Sequence, residues 1–263
     1  MSLILDPDFW KTARVQDVSR ILENGADVEA HSKMGFIFAV AYNENPEVIS
    51  LLLDRGADIK ARDESGLTPL HWAAQSNPTP EIISLLLDRG ADIEARNEGG
   101  FTPLLVAVVI EKLEVISLLL DRGADIEARN EDGFTPLHQA TMRNEKIEVI
   151  LLLLDRGADI EARNESGWTP LRVAVVIGKL EVISLLLDRG ANVETRDNEL
   201  GWTPLHQAAK LNEKPEVISL LLDRGANAKA QDNYGKTPFD IAKENEHLKG
   251  TDVYWRLNEA QYQ

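Results

Sequence analysis

The 263-residue chain contains no cysteine. That excludes a disulfide framework and any zinc site built on thiolates. Long apolar runs are also missing. Stretches such as Leu104 to Ile110 fall far short of the roughly 20 residues a helix needs to cross a bilayer. Met1 to Leu5 give only a short apolar stretch before Asp6, so no secretory leader is expected. Neither GxGxxG nor GxxxxGK[ST], the spacings that cradle phosphate, occurs. The five histidines, His31, His71, His138, His206 and His247, form no catalytic or metal-ligating constellation. Basic residues are scarce, 28 Lys and Arg against 44 Asp and Glu, for a formal charge of −16. A chain of that sign is repelled by nucleic acid and by anionic membranes, and it accepts a basic partner. The same excess helps keep a long chain soluble. The expectation is a soluble, cytoplasmic, non-enzymatic protein. It should have no cofactor, no metal, no nucleic-acid partner and no membrane insertion.

What the chain does contain is one stretch copied many times. Gly133 to His138 reads GFTPLH, and Leu151 to Asp159 reads LLLLDRGAD. Gly-x-Thr-Pro-Leu recurs from Gly66, Gly100, Gly133, Gly167 and Gly201, with a Thr-Pro-Phe variant from Gly235. The Gly-Ala pair after each leucine run recurs at Gly25, Gly56, Gly90, Gly123, Gly157, Gly190 and Gly225. A period of about 33 residues marks a solenoid, whose repeats bury their apolar faces only against neighbours.

Within a repeat, Thr135-Pro136 is an N-cap followed by proline at the first helical position. There the missing N–H costs nothing and the fixed φ suits the helix. This predicts a first helix over Pro136 to Arg143 and a second over Ile147 to Asp155, ended by a left-handed Gly157. The segment that follows is extended and leads into a turn. The leucine triplets at 51–53, 85–87, 118–120, 185–187 and 220–222 are expected in the core. Ala73, Ala107, Ala140, Ala174 and Ala208 are small because paired helices approach closely there.

This Gly-x-TPLH…GAD pattern resembles the ankyrin repeat, in register over almost the whole chain. The resemblance implies an all-α solenoid of stacked helix-turn-helix repeats, β-turn fingers and a concave binding face. The expected domain is a single array over 1–263. It has an N-terminal capping repeat (1–30), an irregular shortened repeat (31–61), five regular repeats (62–231) and a C-terminal capping repeat (232–263). The irregular repeat reads MGFIFAVAY at Met34 to Tyr42 and lacks Thr-Pro, so its first helix is expected to be displaced or shortened. The regular repeats alternate. Those from Gly66, Gly133 and Gly201 carry one more residue between their helices than those from Gly100 and Gly167.

The resemblance implies a protein-binding scaffold, and the alternative is a structural or self-associating, homo-oligomeric array. His71, His138 and His206 look like structural imidazoles that bond finger backbone; Leu105 and Arg172 replace them in alternate repeats. The position after the finger glycine, which family members use for contacts, holds Phe36, Leu67, Phe101, Phe134, Trp168, Trp202 and Lys236. Five large apolar residues in a row, Leu67 to Trp202, suggest an interaction stripe. Val109 with Ile110, Met142 with Arg143, and Val176 with Ile177 end the first helices. Arg96, Arg129, Arg163 and Arg196 form a finger ladder that can pair with Glu94, Glu127, Glu161 and Glu194 or nearby Asp. The partner expected from this surface is a protein with a basic or a mixed apolar-acidic segment.

Overall fold

The computed structural model describes residues 6–24, 34–77, 79–143, 146–211, 214–260 and 262. Among them it has sixteen helices and no strand. The chain divides into two compact units, Met1–Glu131 and Asp132–Gln263. The first contains α1 (Pro7–Thr12), α2 (Val15–Glu23), α3 (Met34–Tyr42), α4 (Pro46–Asp54), α5 (Pro69–Ser76), α6 (Pro80–Asp88), α7 (Pro103–Val109) and α8 (Leu113–Asp121). The second contains α9 (Pro136–Arg143), α10 (Ile147–Asp155), α11 (Pro170–Ile177), α12 (Leu180–Asp188), α13 (Pro204–Leu211), α14 (Pro215–Asp223), α15 (Pro238–Ala242) and α16 (Asp252–Ala260). In each unit the first helices of successive repeats pack in a row. The rows are α1, α3, α5 and α7, and α9, α11, α13 and α15. Second helices such as α2, α4, α6 and α8 form a row behind them.

The Thr-Pro pairs start helices as expected. Thr68, Thr102, Thr169 and Thr237 are extended N-caps followed by proline. Thr102 Oγ1 accepts from the Leu105 N–H, and Thr237 Oγ1 from the Asp240 N–H. These bonds satisfy donors that a helix start otherwise leaves open. The small alanines Ala73, Ala107, Ala140, Ala174 and Ala208 are all buried.

The leucine triplets behave differently from the expectation. Only one leucine of each run reaches the core fully: Leu52, Leu86, Leu119, Leu153, Leu186 and Leu221. Their neighbours are half-buried. Successive helical residues point about 100° apart, so three in a row cannot all face one way. The rest of the stripe is Val-Ile, as in Val149 and Ile150.

The irregular repeat also departs from the reading. Its first helix, α3, is not shortened; its nine residues make it longer than α5, α7 or α15. No Thr-Pro sets its start. Phe36 lies inside α3 and is buried, so it holds no finger position. Ile37, Ala39, Val40 and Ala41 are buried with it, because α3 packs against α1, α4 and α5. Phe38 and Tyr42 remain half-buried.

At the ends, Trp10 is buried and Phe9 meets it edge-on. Lys11, Arg14, Arg20 and Glu23 are exposed on the first repeat, as are Lys236, Lys243, Glu244, Glu246 and Lys249 on the last. The expected helix end at Gly25 to Asp27, and His31, lie outside the described residues.

The alternation between repeats has a physical basis in the helix–helix turn. In the longer turn of the repeat from Gly66, Asn77 reaches back to the preceding repeat. Asn77 Nδ2 donates to the carbonyls of Val40 (2.6 Å) and Asn43 (2.9 Å). In the tighter turns a left-handed residue replaces the insertion, Glu111 at φ 56° and Gly178 at φ 73°. A lysine reaches back from these turns, Lys112 Nζ to Asn77 O and Lys179 Nζ to Arg143 O, as Lys214 Nζ does to Gly178 O from a longer one.

Candidate functional site

Each finger is a turn closed on itself. The Asn97 N–H donates to Phe101 O at 3.0 Å, and Asn97 Oδ1 accepts from the N–H groups of Gly99 and Phe101. An Asn or Asp that folds back on its own backbone in this way is a strong turn former. Successive fingers touch at their tips: the Glu98 N–H donates to Ser65 O at 3.0 Å, and the Glu131 N–H to Gly99 O at 3.2 Å. Gly100 sits at φ 74°, and a Cβ there would lie 2.8 Å from the Glu131 nitrogen. The finger glycine is thus required twice, for its backbone angle and for its neighbour.

The charged finger side chains bond backbone groups of the next finger, a pairing the sequence did not suggest. Arg62 donates to Gly66 O and, at 2.6 Å, to Arg96 O. Arg96 donates to Gly100 O and Arg129 O, Arg163 to Arg196 O, and Arg196 to Gly201 O and Gln231 O. The glutamates likewise accept from backbone: Glu94 from Asp125 N–H, Glu161 from Asn192 N–H and Glu194 from Asn227 N–H. Burial pushes the Glu94 carboxyl up. The pairing is therefore side chain to backbone, because the finger spacing brings each long side chain onto the peptide groups of the next turn. A second ladder went unread in the sequence. Arg89–Asp54, Arg122–Asp88, Arg189–Asp155, Arg224–Asp188 and Arg256–Asp223 pair across repeats at the ends of the second helices. The signal was available, since Asp-Arg-Gly recurs at the repeat period.

Histidines hook the first helices to the fingers. His71 Nε2 lies 2.9 Å from Phe101 O, while Nδ1 faces the Thr68 N–H and Oγ1. A carbonyl only accepts and an amide only donates, so His71 is neutral with its proton on Nε2. His138 bonds Trp168 O and His206 bonds Lys236 O with the same geometry. Burial pushes the imidazoles of His71 and His206 below their ordinary range. These are structural hooks, as the sequence suggested. Leu105 fills the same slot fully buried.

Arg172 takes the slot in the next alternate repeat and builds a polar centre that sequence reasoning missed. It is buried, donates to Trp202 O at 2.9 Å and to Gln207 Oε1 at 2.6 Å, and pairs with Asp197 at 2.5 Å. Burial lowers its pKa, and the Asp197 carboxylate opposes that shift. Asp197 also holds its own finger, accepting from Leu200, Gly201 and Trp202 N–H. The same division recurs elsewhere. Asp63 holds its turn and accepts from Trp72 Nε1; Asp232 holds its turn and accepts from Trp202 Nε1. Asp stands where a side-chain donor faces the turn, and an Asn amide there would oppose donor with donor.

Family models described as ankyrin repeats match residues 14–97, 36–130, 104–197 and 186–242. The chain belongs to the ankyrin repeat family. An ankyrin repeat protein of Fowlpox virus (strain NVSL), FPV233, is 44% identical over 55 residues, 19% of this chain and 11% of that protein. Delta-latroinsectotoxin-Lt1a of Latrodectus tredecimguttatus is 36% identical over 70 residues, 25% of this chain and 6% of the toxin. The matches thus span a small part of both relatives. Ankyrin repeat domains are generally protein-binding scaffolds and typically non-catalytic. Among the described residues no cluster of His, Asp and Glu could hold a metal ion, and no helix is long and apolar enough to cross a membrane.

In this ankyrin array the expected contact residues take up distinct settings. Leu67, Phe101, Phe134, Trp168 and Trp202 are half-buried, one per finger. The Arg172 guanidinium lies 5.0 Å from the Trp168 ring centre, and Phe134 meets His138 edge-on. The backbone carbonyls of Phe101, Trp168 and Trp202 are pinned by the preceding repeat. Val109, Ile110, Val176 and Ile177 are half-buried, while Arg143 is exposed and Met142 is 41% exposed. Leu211, 55% exposed, shares the register of Ile177 and was not singled out from the sequence. Arg96, Arg129, Arg163 and Arg196 are exposed.

Proposed function

We propose that this ankyrin array is a non-enzymatic scaffold. It binds a partner protein through its finger turns and the exposed ends of its first helices. The observation that carries the reading is the row of large apolar side chains after the finger glycines. They keep partial exposure on a backbone that the neighbouring repeat holds fixed. Rigid aromatic anchors beside arginine are characteristic of interface hot spots. Exposed Met142 and Leu211 extend the apolar surface in the second unit.

The test begins with chemical cross-linking of the intact chain to a bound partner, followed by titration of that partner. Trp168→Ala with Leu211→Ala leaves the Trp202–Asp232 bond in place. The double variant should weaken association by at least ~2 kcal/mol, about thirtyfold. Leu153→Ala, in the core of the same unit, should instead cost about 2–5 kcal/mol of stability. Unchanged affinity in the double variant would sink the reading.

Self-association is the second reading, favoured by Trp255 on α16, which is 55% exposed and stacks edge-on against Tyr254. Sedimentation over a concentration series decides it. A fixed monomer mass removes it.

A further inference from the structure

We propose that the finger turns take an extended basic segment of the partner, with an apolar and a cationic side chain in each triplet of residues. This rests on the scaffold reading above and adds the chemistry and conformation of the occupant.

Each finger offers a carboxylate and a large apolar side chain within one turn: Glu98 with Phe101, Glu165 with Trp168, Glu199 with Trp202. Those three carboxylates are exposed. Among the described residues none of the three forms an ion pair. The finger cations are placed differently. Arg96, Arg163 and Arg196 each donate to a carbonyl of the next finger. The fingers are also net acidic, with Asp92, Glu94 and Glu98 against Arg96, and Asp159, Glu161 and Glu165 against Arg163. An acidic segment is therefore repelled along its length, and a basic one is drawn in.

The spacing of the fingers selects the conformation. Within each unit the first helices pack side by side, at the usual separation of about 8–10 Å. The fingers are tied to those helices through His71, His138, Arg172 and His206, so they advance by the same step. A β-strand presents one face every second residue, roughly 6.7 Å, and loses register after one finger. A polyproline II helix repeats every three residues, about 9.3 Å, and stays in step. Such a segment enters already ordered, onto turns whose backbone is also fixed, so little conformational freedom is lost.

The experiment uses the full chain and three synthetic peptides, read by calorimetry and tryptophan fluorescence. One carries consecutive Leu-Pro-Arg triplets, the second Leu-Pro-Glu triplets, and the third alternates Leu and Arg with the same number of charges. The basic triplet peptide should bind at least about tenfold tighter than either of the others. Glu165→Lys with Glu199→Lys should reverse the preference between the basic and acidic triplets. The peptide comparison stands even if that variant is unstable, because it varies only the ligand. Equal or tighter binding of the acidic or the alternating peptide overturns the proposal, as does a folded charge-reversed variant that keeps its preference. If no triplet peptide binds while partner association still depends on Trp168 and Leu211, this inference falls and the scaffold reading stands. If that dependence is also missing, both fall.

Discussion

Each regular repeat has two edges built from the same kinds of residue, and they work differently. The finger edge holds a glycine, an arginine and a glutamate; the helix-end edge holds a glycine, an arginine and an aspartate. At the fingers the arginine and glutamate bond the backbone of the next repeat, and a Cβ on Gly66, Gly100 or Gly133 would strike that backbone. At the helix ends the arginine and aspartate bond each other at the surface, and the glycine faces open space. Exposed ion pairs contribute about 0–1 kcal/mol, and the finger edge adds to its own exposed bonds a glycine held against the next backbone. The difference teaches that residue type does not set a contribution; what the side chain meets does. The fingers are the cohesive seam, and the helix-end ladder is closer to a solvated trim.

The largest effect should come from the buried pair on the finger edge. Arg172→Leu strands the Asp197 carboxylate, whose side chain is 3% exposed, and should cost about 3–5 kcal/mol in a urea titration. Adding Asp197→Asn should recover most of that loss. The pair Leu105 and Asn130 already combines those residue types at the equivalent positions. A double variant no better than the single would show that the pair is not the source of the loss.

A smaller effect separates the two glycines. Gly100→Ala combines a left-handed backbone with a collision against Glu131, for about 3 kcal/mol. Gly90→Ala has the same kind of backbone angle and no neighbour, for about 1 kcal/mol. Equal melting temperatures for the two variants would erase the distinction between the edges.

The smallest effect is a dependence on acid. The folded-state pKa values of His71 and His206 lie below the unfolded value of about 6.5. Below that value the unfolded chain binds protons that the folded chain refuses. Their contribution is therefore complete above about pH 6.5 and declines as pH falls toward the folded value. His71→Leu, which copies the Leu105 slot, should flatten the fall in urea midpoint between pH 7 and 5. Arg89→Ala, on the helix-end edge, should leave that slope unchanged and cost at most ~1 kcal/mol. A slope indifferent to His71 would break the assignment.

Much of this fold was legible without coordinates. Thr-Pro placed the starts of the regular first helices, and the bounds expected for α9 and α10 are those observed. The histidine hooks were readable because one residue type recurs in one slot. The irregular repeat was misread for the same reason: with no Thr-Pro in Met34 to Tyr42, nothing local marked the ends of α3. The candidate surface was legible as a list of positions. The anchoring of each one was not, since Trp202 shows its indole bond to Asp232 only when the next finger is in place.

The sequence by itself determined the period, the helix pairs, the turns and the sign of the surface. These depend on neighbours along the chain, through caps, left-handed glycines and counted charges. Tertiary structure alone decided that Arg62, Arg96, Arg163 and Arg196 meet carbonyls of the next finger. It also decided that Arg172 and Asp197 are buried together. Those outcomes depend on how far one repeat stands from the next, a distance set by the packing of whole helices.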